Sequence, residues 1–154
     1  MRMAGTDDPR PTTNAHDERS HAHAHAHAHV HEGALPQSGR FPHEKLDAYR
    51  VALELAALAK ELADEIPRGH RSVADHMLRA SSNTVLLLAE GANRRGPAQK
   101  RQRFVESRGE CAEVAAAADL VVVLSLGSAS RAEDLKHLAG RVSAMLTKLI
   151  ARLE

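Results

Sequence analysis

Six basic side chains, Arg94, Arg95, Lys100, Arg101, Arg103 and Arg108, crowd one short stretch, with Glu106 the only acid among them before Glu110. Clustered guanidinium and ammonium groups suit phosphate oxygens. They neutralise backbone charge without reading bases, so the contact would be salt-sensitive and indifferent to sequence. RNA or DNA is therefore one candidate partner. The competing reading is a solvated face, or arginines paired with acids of a neighbouring subunit. It weighs more, because aromatics make up only 2% of the chain and no groove-reading motif accompanies the charges. Net charge is only +1 with His neutral, so any electrostatic partner has to meet a local patch.

A second set is the run HAHAHAHAHVH, with His21, His23, His25, His27, His29 and His31 at every other position. In an extended chain this spacing puts the imidazoles on one side, where neutral rings can hold zinc or nickel. Such tracts bind metals whatever their purpose. The stronger reading is a simple-repeat expansion in a solvated arm, or an appended tag, with adventitious Zn or Ni and no dedicated cofactor.

Glu90 and Glu113 lie beside small residues and are placed to approach each other or Arg79. An inter-helix or inter-subunit salt bridge fixing assembly outweighs a catalytic or metal pair. A di-iron bundle needs two Glu-x-x-His pairs, and only Asp134 with His137 has a comparable spacing. Cys111, the sole cysteine, falls on an apolar seam without a nearby histidine, so a small core residue is expected rather than a nucleophile. No phosphate-cradling loop or supported Ser-His-Asp set is present, and no enzyme is expected.

The elements that position these residues follow from hydropathy. Residues 1–40 are Asp, Pro, Thr, Ser, His and Gly with few large apolar side chains, and read as a disordered tail. From 41 to 154 the apolar period is helical. The first helix is expected over His43–Ile66, with a seam of Leu46, Tyr49, Leu53 and Ala56 widened by Leu55, Leu58, Leu62 and Ile66. Pro67 and Gly69 end it.

A second helix is expected with Ser72 as its cap and Asp75 in its first turn. Its stripe is Val73, Met77, Ala80, Thr84, Leu87 and Leu88. Val85 to Gly91 is apolar nearly all round, which suggests a subunit interface or a docked protein partner, and Gly91 supplies a left-handed stop. Pro97 opens the third helix, whose seam is Phe104, Ser107, Cys111, Val114, Ala118, Val121 and Ser125, widened by Ala115 and Val122. LVVVLSL at Leu120 to Leu126 has strand-like composition, but no breaker separates it from the Ala-rich segment before it, so the helix is expected to continue until Gly127. Ser130 with Glu133 forms a capping-box pattern for a last helix running to the C-terminus. Four long helices with short connections imply an all-α, antiparallel up-down-up-down four-helix bundle. With no cysteine pair, no signal-like apolar run and no membrane-length segment, a soluble cytoplasmic protein is expected.

LDAYRVALELA from Leu46, VADHMLRA from Val73, Ala89-Glu90-Gly91, and GECAE at Gly109 to Glu113 occur in that order. On these motifs the chain from Phe41 onward resembles the bacterial four helix bundle protein family. That family includes proteins encoded in intervening sequences of large-subunit ribosomal RNA genes, and the accessory variability determinant of diversity-generating retroelements. Leu87 stands where the family pattern has asparagine, Glu110 where it has serine, and Phe104 is one place beyond the usual aromatic position, here Arg103. The resemblance implies a homopentameric ring of bundles and, for the retroelement members, binding to nucleic acid and a reverse transcriptase. The leading expectation is a non-enzymatic, oligomeric scaffold or adaptor, with Arg79, Glu90, Gly91, Gly109 and Glu113 as structural residues. A nucleic-acid-binding accessory factor using the basic run comes next, and metal handling by the His tract third.

Overall fold

The computed structural model describes residues 39–154. The described residues form four α-helices: α1 Asp47–Glu65, α2 Arg71–Asn93, α3 Pro97–Val123 and α4 Ala129–Ala151. Short 3-10 turns at Pro42–Lys45 and Arg68–His70 precede α1 and α2. The His tract lies outside the described residues.

Cross-helix contacts fix the directions. Asn83 meets Glu110, Thr84 meets Ser107 and Cys111, and Gly91 meets Phe104, so partner numbers fall along α3 as they rise along α2. Arg101 with Glu154, Arg108 with Thr147 and Asp119 with Lys136 make α3 and α4 antiparallel in the same way. The end of α1 meets the start of α4 through Glu65 and Arg131. The helices alternate up and down, as expected.

The core is aliphatic. Leu55, Leu62, Met77, Leu88, Val114, Val121, Leu135, Val142 and Leu146 are fully buried, each worth roughly 1.5–3 kcal/mol of removed apolar surface. Thr84 and Ser81 return their hydroxyls to carbonyls one turn back, while the Ser107 hydroxyl donates across to the Thr84 carbonyl at 2.8 Å. Among the described residues no buried side-chain polar atom lacks a partner, and no helix is long and apolar enough to cross a membrane.

Several element details differ from expectation. Leu46 is extended, with φ −93° and ψ 122°, so the first regular helix starts at Asp47 rather than His43. Its core row is Leu55, Leu58, Leu62 and Ile66, while Leu53 and Ala56 are half-buried. Ile66 leaves the helix because a residue before proline avoids the helical region. His70 rather than Ser72 precedes α2, and Asp75 instead faces Arg71 at 3.8 Å.

Gly91 is not a stop. The helix runs through it to Asn93, and Arg94 departs with ψ 145°. A Cβ at Gly91 would lie 2.7 Å from the Phe104 ring, so this glycine is there for contact. Nor does Gly127 end α3. Ser125, at φ 52°, takes the left-handed position, with Ser125 and Leu126 donating to the carbonyls of Val122 and Val121. These are the two bonds of a Schellman cap. Ser125 and Val122 are consequently exposed rather than on the seam.

Ser128, not Ser130, caps α4 by accepting from the Arg131 amide at 3.2 Å. Glu65 reaches across from α1 to accept from the Ser128 amide at 2.7 Å and to pair with the Arg131 side chain. A choice between two serines is thus made by an acid on a different helix.

Candidate functional site

The basic run occupies the α2–α3 turn and the first three turns of α3. Pro97 at the first helical position starts α3 immediately after the Arg94-Arg95-Gly96 turn, which brings the turn and the helix face side by side. The charges do not form a single stripe. Arg94 pairs with Glu90, and Arg103 bridges from its Nε to Glu90 at 3.3 Å and from its Nη1 to Glu106. On the opposite flank Arg101 reaches Glu154 at 3.2 Å, and Arg108 donates to the Thr147 hydroxyl at 3.2 Å.

Glu106 is held below the usual carboxylate range by a hydrogen bond from Gln102 and by Arg103. Among the described residues only Arg95 and Lys100 of the six have no recorded carboxylate or hydroxyl partner. Arg94, Arg101 and Arg103 are thus paired with carboxylates while Arg108 meets only a neutral hydroxyl, and the patch keeps a net positive charge. One of the pairing acids, Glu154, is 53 residues from Arg101 along the chain, which a count within the run could not reveal.

Glu90 and Glu113 are not brought together. Glu90 sits against Arg94 and Arg103 near the C-terminal end of α2. Glu113 lies ten residues beyond Arg103, roughly 15 Å along the helix. There it accepts from His76 Nε2 at 3.0 Å. The other ring nitrogen of His76 is 2.7 Å from an Arg79 nitrogen. Because a guanidinium only donates, Nδ1 accepts and the proton sits on Nε2, facing Glu113. Arg79, His76 and Glu113 therefore form an exposed chain stapling α2 to α3. His76 was missed as a participant, although its spacing to Arg79, three residues on, would have shown it.

Cys111 is buried, with its sulfur 3.9 Å from the Thr84 hydroxyl. Burial pushes its thiol up to about 11, leaving it protonated and unreactive at neutral pH. Among the described residues no group of three or more His, Cys, Asp or Glu gathers to hold a metal.

The solvent side of α3 is the other candidate. Gly109, Ala112, Ala116, Leu120 and Val123 recur at three- and four-residue spacing and are all exposed. Val123 is 77% accessible and Leu120 46%. Leu86, the outward member of the apolar run on α2, is 65% accessible, while Leu88 points fully into the core. Helix α3 is thus apolar on its inner and outer faces, and a Cβ placed on Gly109 would meet nothing within 4 Å.

A family model described as 23S rRNA-intervening sequence protein matches residues 44–148. No curated protein matches the chain.

Proposed function

The chain belongs to the 23S rRNA-intervening sequence protein family, and from that premise we propose that it is a non-enzymatic, oligomeric scaffold whose copies meet along the outward face of α3. The observation that carries this reading is the exposed row Gly109, Ala112, Ala116, Leu120 and Val123. Large exposed apolar residues in a row mark interaction surfaces, and small residues let two helices approach closely. The expected assembly is a ring of five copies, as the family resemblance implies. In it, Arg79, Glu90 and Glu113 act through pairs that hold α2 and α3 in register.

A second reading, nucleic-acid binding, draws support from Arg95 and Lys100, which stay open for phosphate. Copies in a ring would multiply that pair into a salt-sensitive band. One experiment addresses both readings: light scattering of the full chain at low and high salt, with and without a mixed-length RNA. The scaffold reading expects a stable oligomer that Leu120→Asp with Val123→Asp reduces to monomer; a wild-type monomer at all concentrations overturns it. Nucleic-acid binding expects RNA to co-elute at low salt only, and to be lost on Arg95→Glu with Lys100→Glu. Retention unchanged by that reversal removes it.

A further inference from the structure

At the end of the bundle where α2 meets α3, and where α4 finishes, a cleft of about 290 Å³ opens between the first 3-10 turn, α3 and α4. Its apolar walls are Pro42, Leu46, Ala92, Phe104, Leu149 and Leu153, and Lys100 and Arg152 complete its lining. No acid lines it. Glu154, the nearest carboxylate in sequence to Arg152, is engaged by Arg101 on the next residue after Lys100. Among the described residues neither Lys100 nor Arg152 makes an ion pair.

We propose that this cleft binds an amphipathic monoanion, an unbranched apolar body ending in a carboxylate, with the chain against Phe104 and Leu149 and the carboxylate between Lys100 and Arg152. The cavity lies at the small end of the range that ligand pockets occupy, and its pattern is theirs: mostly apolar walls with a few polar groups that fix orientation. Two cations without a lining acid define the sign of the ligand. An arginine offers a planar fork that matches a carboxylate, and a lysine adds a point charge. A neutral apolar ligand would leave both cations unused, and a polyanion would gain nothing from the leucines. Binding is independent of the scaffold reading, because the cleft sits away from the exposed Leu120 and Val123 at the far end of α3.

Isothermal calorimetry of the full chain with decanoate tests the proposal, with decanol as the uncharged probe of equal length. Saturable uptake of decanoate at about one equivalent per chain is expected, tighter than decanol. Lys100→Ala with Arg152→Ala should weaken decanoate by about tenfold or more, the scale of lost bonds to a charged group, and leave decanol binding unchanged. Leu149→Asp should weaken both probes. Each variant is compared at equal helical content by circular dichroism. No saturable decanoate heat, or decanoate affinity that ignores the loss of both cations, overturns the proposal. Light scattering of the same samples keeps the outcome separate from assembly.

Discussion

Gly91 on α2 lies directly against the Phe104 ring of α3. The ring is 3% accessible, so a Cβ 2.7 Å from it and 3.1 Å from the Arg103 Cβ has to be accommodated by a shift of the ring toward the cleft it lines or of α2 against α3. Overpacking of this kind costs about 1–3 kcal/mol. Alanine is also the better helix former by about 1 kcal/mol, which works in the opposite direction. Gly91→Ala should therefore lower the chemical-denaturation midpoint in the native background and raise it when Phe104 is first reduced to leucine. A sign change between the two backgrounds, read as a double-mutant cycle, is the expected outcome; the same loss in both would mean that the ring is not what excludes the Cβ. Composition alone favours glycine as a helix stop. Only the neighbour across the groove, Phe104, reveals its other use. For the same reason the neutralising partners of Arg101 and Arg103 were illegible in sequence: Glu154 and Glu90 become neighbours only when the helices pack.

Element by element, the helical period was legible and the ends were not. Met77, Ala80, Thr84 and Leu88 on α2 fall inside as their spacing predicts, and on α4 Leu135, Val142 and Leu146 are buried at helical spacing. Helix α3 also continues through Val123 despite its β-branched run, because side chains already buried at Val114 and Val121 carry the segment into the core. Ends are decided by single residues that can be traded. Ser125 holds the left-handed position of the α3 cap although Gly127 is two residues away, because Leu126 is buried just beyond it. Sliding the cap to put glycine at the turn would pull Leu126 out of the core. A left-handed non-glycine residue costs roughly 1–2 kcal/mol. Ser125→Gly should recover about 1 kcal/mol of that and raise the thermal midpoint, with the rest lost to extra freedom in the unfolded chain. A destabilised variant would mean that the serine side chain contributes more than its backbone costs.

At the scale of the whole molecule, the question is which outer surface is truly free. Helices α3 and α4 each carry an interior glycine, Gly109 and Gly140, and a Cβ on either would meet nothing within 4 Å of its own chain. For an isolated bundle the two are equivalent: glycine in an exposed helix interior weakens it by about 1 kcal/mol, and glutamine at either place should stabilise it. They differ only if a second copy covers α3. Gly109 sits in the row that continues through Ala112, Ala116, Leu120 and Val123, whereas Gly140 is preceded by buried Ala139 and followed by exposed Arg141. A side chain at Gly109 would then hold the two helices apart and forfeit the dispersion contacts that a close approach provides. The expected result is that Gly140→Gln keeps the oligomer and gains stability, while Gly109→Gln dissociates it and leaves a monomer whose bundle is at least as helical. Light scattering gives the first readout and circular dichroism the second. Equal behaviour of the two variants would place the copies on some other face, and the apolar row on α3 would have to be covered by a different protein.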